Sequence, residues 1–393
     1  MGTFGTEINF NNMSNLLDKA GSVRKGEELD PQRLEEYLKP HLPEVGNITA
    51  IAQFKGGASN LTYQIDFEKQ SYILRRPPIG TKAKSAHNMQ REFDVMKRLK
   101  PHYSHVPEMV VYCEEEDVIG GDFYLMEKLV GMIPRANLPK DLVLSTTEVR
   151  QMCEAAIDKL VELHQLDYQA VGFESYYRGE GYVERQVKGW SKRYRKAKTI
   201  DVPDYEEVME WLLAEMPKDR KASIIHNDFR FDNLVYDPSD VSQVTGVLDW
   251  EMATVGDPLM DLGGSLAYWI EANDPYCWRL MRRQPTHIDG MMSRDEVARY
   301  YLQKMGWEDQ SLKYYYIFGM FRLAVIIQQI YYRYFHKQTT NPQFKLFGVA
   351  VDMLEVYCKK LIHSPSEQLS QYPLSFGDNL KFSGRFMWQR WFG

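Results

Sequence analysis

The segment His226-Asn227-Asp228-Phe229-Arg230-Phe231-Asp232-Asn233 and the run Val247-Leu248-Asp249-Trp250-Glu251 hold the residue types that phosphoryl transfer requires. Moving a phosphoryl group onto a hydroxyl needs a carboxylate to take the hydroxyl's proton, and hard oxygen ligands to hold Mg2+ on the phosphates. The pattern H-x-D-x-x-x-x-N supplies a carboxylate at Asp228 and an amide oxygen at Asn233, and a strand-like apolar run then delivers Asp249. Asp228 is therefore expected to be the catalytic base, with Asn233 and Asp249 as magnesium ligands. A lone H-x-D would read as a turn carboxylate bonding its own backbone. The paired Asn, the flanking strand patterns and the second Asp make the set specific.

The neighbours of this set have expected roles too. Arg230 could place a cation on the migrating phosphoryl group. His226 is expected to order the loop by hydrogen bonding rather than to move protons. Asp257-Pro258 reads as a helix N-cap followed by Pro at the first helical position. Asp261, in the same helix, is expected to brace the loop.

These residues need a scaffold, and the chain splits by periodicity. Residues 1–44 are polar, with Asp30-Pro31 opening a short helix striped by Leu34, Tyr37 and Leu38; they read as a helical extension packed on the first lobe. Residues 45–129 are β-rich. Ala50 to Phe54 and Leu61 to Ile65 form a hairpin around Gly56-Gly57-Ala58-Ser59-Asn60, whose backbone N–H groups could approach phosphate oxygens. This turn is neither G-x-G-x-x-G nor G-x-x-x-x-G-K-[ST]. Ser71 to Arg76 is the next strand, and Ala86 to Leu99 a helix carrying Glu92. A strand cation reaching the α- and β-phosphates, steadied by a helix carboxylate, fits Arg75 and Glu92. Strand alternation sets Ile73 and Arg75 on one face and Leu74 and Arg76 on the other, and does not by itself choose between the arginines.

Residues 130–365 are mainly helical: Thr147 to His164, Gly181 to Lys198 and Tyr205 to Met216 are periodic segments, with further helices from 258 to 363. Arg185 to Lys198 is basic with Trp190 and Tyr194 one turn apart, which reads as a helix with a buried aromatic stripe and a solvated basic face, or as a lip attracting an anionic acceptor. Ile317 to Phe335 is apolar but contains Arg322, Gln328, Gln329 and Arg333, and reads as a buried helix rather than a membrane span. Residues 366–393 carry Trp388 and Trp391 without a clear period, and read as an aromatic tail.

Composition excludes other classes. With 393 residues, 44% hydrophobic and 26% charged, the chain has ordinary globular composition and can bury a large core. A net charge of −6 gives no reason to expect a nucleic-acid partner. Cys113, Cys153, Cys277 and Cys358 include no C-x-x-C pair, which argues against zinc and a disulfide scaffold and suits a reducing cytoplasm. The N-terminus has neither a basic nor an apolar leader region, so no secretory signal is expected.

From about residue 48 to 360 the chain resembles the aminoglycoside phosphotransferase family, which is related to choline kinases and to the protein-kinase fold. The segments HNDFRFDN, LDWE and GDPLMDLG carry the resemblance, while GGASNLTY, YILRRPP and GYVERQVKGW look most like the kinase-like domains fused to acyl-CoA dehydrogenases. The resemblance implies an α+β, two-lobed protein-kinase-like fold, with an antiparallel-sheet N-lobe and a mostly helical C-lobe. It implies an ATP site between the lobes, with Glu127 to Leu129 near the adenine hinge, and Asp228, Asn233 and Asp249 in the roles given above. It favours Arg75 in the place usually held by Lys, with Glu92 as its partner. The acceptor it implies is a small molecule bearing a hydroxyl, closer to a hydroxyacyl thioester than to an aminoglycoside, since the final helices show no dense acidic cluster for a polycation.

Two rivals remain at this level. One is a non-catalytic nucleotide-binding or ligand-sensing module, which the Arg in place of Lys would allow but which has no need of a base and two metal ligands. The other is a protein kinase, against which stands the lack of an A-P-E-like segment after Asp249.

Overall fold

The structure, a computed structural model, describes residues 17–54, 60–78, 89–370 and 374–391. The chain divides into two compact units. The first takes the chain up to Ile133 with Pro139–Val143 and Asn233–Ala253; the second takes Pro134–Leu138, Leu144–Asp232 and the chain from Thr254 onward. The sequence reading placed a boundary at 129/130 and kept 233–253 with the helical part. The structure groups that stretch with the first unit because its hairpin, Leu234–Asp237 with Asp240–Val247, bonds there. Met132 and Tyr236 exchange backbone hydrogen bonds of 2.8 Å, and the Val247 N–H donates to the His105 carbonyl at 2.7 Å.

In the first unit, α1 (Pro31–Leu38) precedes β1 (Ile48–Gln53), β2 (Leu61–Phe67) and β3 (Ser71–Arg76). These are followed by α2 (Met89–Leu99), β4 (Met109–Cys113), α3 (Glu116–Ile119) and β5 (Phe123–Glu127). The strands form one antiparallel sheet in the order β1-β2-β3-β5-β4. Alternation in β2 buries Leu61, Tyr63, Ile65 and Phe67 and leaves the intervening residues partly exposed. That face joins Tyr72, Leu74 and Leu125 to Leu34 and Leu38 of α1 in one core. The Asp30 carboxylate caps α1 by accepting the Gln32 and Arg33 N–H groups, with Pro31 at the first helical position, as the sequence indicates. On the other sheet face, Phe93 of α2 meets the rings of Tyr112 and Tyr124. Gly21 adds a bridge to Gln53 at the sheet edge, so part of the N-terminal extension is joined to the sheet.

The second unit is built from α4 (Thr146–Gln165), α5 (Tyr182–Ala197), α6 (Glu206–Ala214), α7 (Pro258–Leu266), α8 (Tyr276–Arg279), α9 (Arg294–Met305), α10 (Lys313–Phe335), α11 (Phe347–His363) and α12 (Phe376–Trp391). A short antiparallel ribbon, Ser223–Ile225 with Thr254–Gly256, lies among them. Helix α10 packs on α5, α7 and α11 and is buried through most of its first half. Two of its polar residues donate inside the unit: Arg322 to the Asn227 carbonyl at 2.6 Å, and Gln328 Nε2 to the Ala197 carbonyl at 2.8 Å. Among the described residues no helix is long and apolar enough to cross a membrane.

Helices α7 and α10 approach backbone to backbone through glycine. A Cβ on Gly319 would lie 2.1 Å from the Gly263 carbonyl oxygen, and one on Gly263 would lie 2.2 Å from the Tyr315 oxygen. Gly319→Ala must therefore push the two helices apart. We expect a loss of about 1–3 kcal/mol, read as a fall of several degrees in Tm. An unchanged Tm would show that this contact is not tight in solution.

The final segment departs from the aperiodic tail expected from sequence: Phe376–Trp391 is helical. Phe382 and Phe386 are buried, while Phe376 and Leu380 are exposed. Apolar residues thus point both inward and outward, and this hides the helical period. Ion pairs between Lys360 and Asp378 and between Arg385 and Asp352 tie α12 to α11.

Candidate active site

Arg75, Glu92, Asn233 and Asp249 all lie in the first unit. The Arg75 guanidinium reaches Glu92 Oε1 at 2.5 Å and Asp249 Oδ1 at 3.2 Å. Arg75 leaves β3 on the α2 side of the sheet, opposite Tyr124 of β5. Arg76 points to the other face and donates to the Ile119 carbonyl at 2.5 Å, at the end of α3. The choice that alternation left open is thus a choice of sheet face. Burial works against the Arg75 charge, but Glu92, Tyr124 and Asp249 hold its pKa well above the ordinary value, so it stays protonated.

Backbone pairing brings Asn233 and Asp249 close in sequence register. Leu234 pairs with Val247, and the Leu248 N–H donates to the Asn233 carbonyl at 2.8 Å. Asp249 follows at once, with its backbone in the left-handed region at φ 68°, ψ 62°. A non-glycine residue held there is a local strain of the kind that clusters at functional sites. The fully buried Trp250 anchors the turn, its indole N–H donating to the Val247 carbonyl at 2.8 Å. An amide and a carboxylate oxygen suit Mg2+, which takes few protein ligands and completes its shell with phosphate and water. The Asp249 side chain is 31% exposed, so its carboxylate is accessible to such an ion.

Asn60 is buried at the start of β2. Its Nδ2 donates to Glu251 Oε2 at 3.2 Å, while its Oδ1 has no hydrogen-bond partner among the described residues. Gly56, Gly57, Ala58 and Ser59 lie outside the described residues. The Glu127 carboxylate accepts the Glu108 N–H at 3.0 Å, and Leu129 packs against Gly246, where a Cβ would lie 2.2 Å from Leu129 Cδ1.

Asp228, the residue expected to be the base, and the residues around it belong to the second unit. Asp261 accepts the backbone N–H groups of His226 at 2.7 Å and Asn227 at 2.8 Å, which is the bracing role expected of it. The buried His226 ring orders the loop further, its Nδ1 accepting the Asp228 N–H at 3.2 Å. Asn227 takes a left-handed backbone at φ 65°, with its carbonyl held by Arg322. Arg230 lies between two carboxylates, 3.1 Å from Asp228 Oδ2 and 3.2 Å from Asp232 Oδ1, with its guanidinium over the Tyr268 ring. Burial pushes the Asp232 carboxyl above its ordinary value, against the pull of Arg230. Asp257 caps α7 through the Leu259 N–H at 2.8 Å and also accepts the Arg220 N–H at 2.5 Å.

Sequence reasoning missed several supports. His164 on α4 bonds Asp261 Oδ2 at 3.1 Å and Tyr301 Oη at 2.7 Å. Arg322 on α10 and Gln284, whose Oε1 accepts the Phe231 N–H at 2.8 Å, also hold the loop. Each comes from a helix or loop far along the chain and belongs to no local motif, so only the polar residues inside apolar runs hinted at them.

His164 gives the site a pH signature. Burial holds its imidazole below the ordinary value of 6.5, against the raising effect of Asp261. Below 6.5 the unfolded chain therefore takes up a proton that the folded one does not. The stabilising contribution is complete above that pH and is lost as pH falls through the folded value, by up to about 1.4 kcal/mol per pH unit. We expect stability to fall from pH 7 to 5.5, and His164→Gln to reduce that slope whatever its effect on the level. Denaturant titrations at several pH values check this; equal slopes would contradict it.

Comparison with known proteins extends the geometry. Residues 50–299 match the model of the phosphotransferase enzyme family. The chain is 35% identical over 330 residues to mouse acyl-CoA dehydrogenase family member 10, covering 83% of this chain and 30% of that protein. It is 34% identical over 338 residues to human acyl-CoA dehydrogenase family member 11, covering 83% of this chain and 42% of that protein. The chain thus spans less than half the length of these relatives. Among solved structures, a candidate aminoglycoside phosphotransferase from Ralstonia eutropha JMP134 superposes with a TM-score of 0.72 at 28% identity, covering 85% of this chain and 98% of that one. Choline kinase from Cryptosporidium parvum Iowa II gives 0.57 at 12% identity, covering 84% and 96%, a likeness of fold alone. The α+β protein-kinase-like fold expected from sequence is the one the chain adopts.

Proposed function

The chain belongs to the phosphotransferase enzyme family, and we propose that it moves the γ-phosphoryl group of ATP, with Mg2+, to a hydroxyl of a small-molecule acceptor. The observation that supports this most is the fixed geometry around Asp228. Its backbone is held by His226, the two preceding residues are held by Asp261, and its carboxylate is left beside Arg230. In this reading Asp228 takes the acceptor's hydroxyl proton as the bond to phosphorus forms. Asn233 and Asp249 hold the ion, which neutralises charge on the phosphates; Arg75, set by Glu92, orients the α- and β-phosphates. Arg230 keeps the Asp228 carboxylate in place and adds positive charge for the transferring group.

The acceptor we favour is an acidic metabolite of the hydroxyacyl thioester class. Two observations support it: the names of the relatives, and the cations and aromatic rings of the second unit. Arg322 and Arg193 lie 5.4 and 4.6 Å from the Trp190 ring, and Arg230 lies 4.8 Å from that of Tyr268. A nucleotide-binding sensor without turnover is the second reading, favoured by the ion pair that Arg75, in the place of a usual Lys, makes with Asp249. Incubation with γ-labelled Mg·ATP and a pool containing hydroxyacyl-CoAs and aminoglycosides separates the two. Label in an acidic hydroxylated metabolite supports the proposal. Tight nucleotide binding with no labelled product from any pool, crude extract included, supports the sensor.

A further inference from the structure

Helix α2 carries Glu92, which faces Arg75, and beside it Arg91, to which the reaction as derived so far gives no task. Arg91 Nη1 donates to the Glu251 carbonyl at 2.7 Å, and Nη2 donates to the Ala253 carbonyl. These two carbonyls flank Met252 in the 3-10 turn Trp250–Met252, which begins directly after Asp249. Helix α2 therefore grips two backbone carbonyls just after Asp249, both through Arg91. The Glu251 side chain meanwhile accepts from Asn60, which directly precedes β2.

The reason such a grip matters lies in the Asp249 backbone. Its left-handed conformation costs on the order of 1–3 kcal/mol and persists only where its surroundings over-determine it. Trp250 holds the turn from inside through the Val247 carbonyl. On the other side, Arg91 donates to the carbonyls of Glu251 and Ala253. A planar guanidinium with forked N–H groups can serve two carbonyls at once; an ammonium on a flexible stem serves one.

We propose that Arg91 is a positioning residue for the metal. By clamping the Glu251 and Ala253 carbonyls to α2, it holds Asp249 in the backbone conformation that presents its carboxylate to Mg2+. This rests on the reading of Asp249 as a metal ligand. The clamp is made to two backbone carbonyls. Its loss leaves the Arg75–Glu92 pair in place and frees the turn to relax toward an ordinary backbone geometry, turning the Asp249 carboxylate away.

The test measures Mn2+ binding by electron paramagnetic resonance in the presence of ATP, with no acceptor, in the full chain and in Arg91→Ala, Arg91→Lys and Asp249→Asn. ATP affinity without metal and amide exchange at Trp250–Ala253 are measured in parallel. We expect Arg91→Ala to weaken Mn2+ binding about tenfold, to speed exchange at those amides, and to leave metal-free ATP affinity within about twofold, with Arg91→Lys intermediate. A residue that merely supports the fold would lower Tm without moving metal affinity selectively. If Arg91→Ala does not fold, Arg91→Lys carries the test, and Mn2+ affinity equal to that of the unaltered chain overturns the proposal. A large effect in Asp249→Asn with none in either Arg91 variant overturns the clamp and leaves the metal site standing. No effect in Asp249→Asn removes the metal assignment and the clamp with it.

Discussion

Asp228→Asn is expected to lower turnover by about 10²–10⁴-fold while leaving nucleotide affinity unchanged. That is the usual range for removing a positioned general base, about 2.7–5.5 kcal/mol in the barrier. Asn keeps the size and planarity of Asp, so the loop should survive. The Asp228 N–H still reaches His226 Nδ1, and Arg230 keeps its contact with Asp232. What is lost is the acceptor for the hydroxyl proton. The residues assigned to nucleotide and metal, Arg75, Asn233 and Asp249, belong to the other unit and are untouched. Steady-state kinetics with a nucleotide-binding titration check this. A fall in nucleotide affinity that accounts for the whole loss would make Asp228 a binding residue, and unchanged turnover would remove it from the chemistry.

The second large effect falls on stability. Burial alone would raise the Asp261 carboxyl, but the bond from His164 and the His226 N–H hold it below the ordinary carboxylate range. A neutral His164 donating from Nε2 and accepting from Tyr301 at Nδ1 fits both shifts. Asp261→Ala removes the carboxylate that accepts from the buried His226 N–H and His164 Nε2–H and from the half-buried Asn227 N–H. At roughly 1–3 kcal/mol for each unsatisfied buried group, partly relieved by relaxation, the loss should reach about 3–5 kcal/mol. For a unit of this size that is a fall in Tm on the order of 10 °C. Turnover should fall as well, because the loop that presents Asp228 loses its anchor. Asp261→Asn, which keeps one oxygen, should lie between. Calorimetry of the three proteins tests the order, and equal Tm values would show that solvent replaces the carboxylate.

The ordering of the loop by His226 was legible because His226 and Asp228 stand two residues apart in one motif, and the Asp257-Pro258 cap because capping is local chemistry. The groups that hold the loop were not. His164 and Arg322 reach it from α4 and α10, and a buried polar residue on an apolar helix face shows only that it needs a partner, not which one. The Arg75 and Arg76 pair illustrates a different limit. Alternation states that the two point to opposite faces, but only the packing of α2 against one face and α3 near the other shows which meets Glu92. Helix α12 was hidden because Phe376 and Leu380 on its exposed side blur the period set by Phe382 and Phe386, and Gly377 and Gly384 lower its intrinsic helix propensity. The left-handed backbones of Asn227 and Asp249 were equally invisible, since neither position carries the glycine that would announce them.

The most direct test of γ-phosphoryl transfer is phosphorus NMR of Mg·ATP with the protein and fractionated extract rich in hydroxylated acids. The account predicts a new phosphomonoester resonance growing in step with ADP, in a one-to-one ratio, in the fraction that holds the acceptor. It predicts no such resonance with Asp228→Asn. ADP and inorganic phosphate appearing together without a phosphomonoester in any fraction, or bound ATP that stays intact throughout, would contradict it.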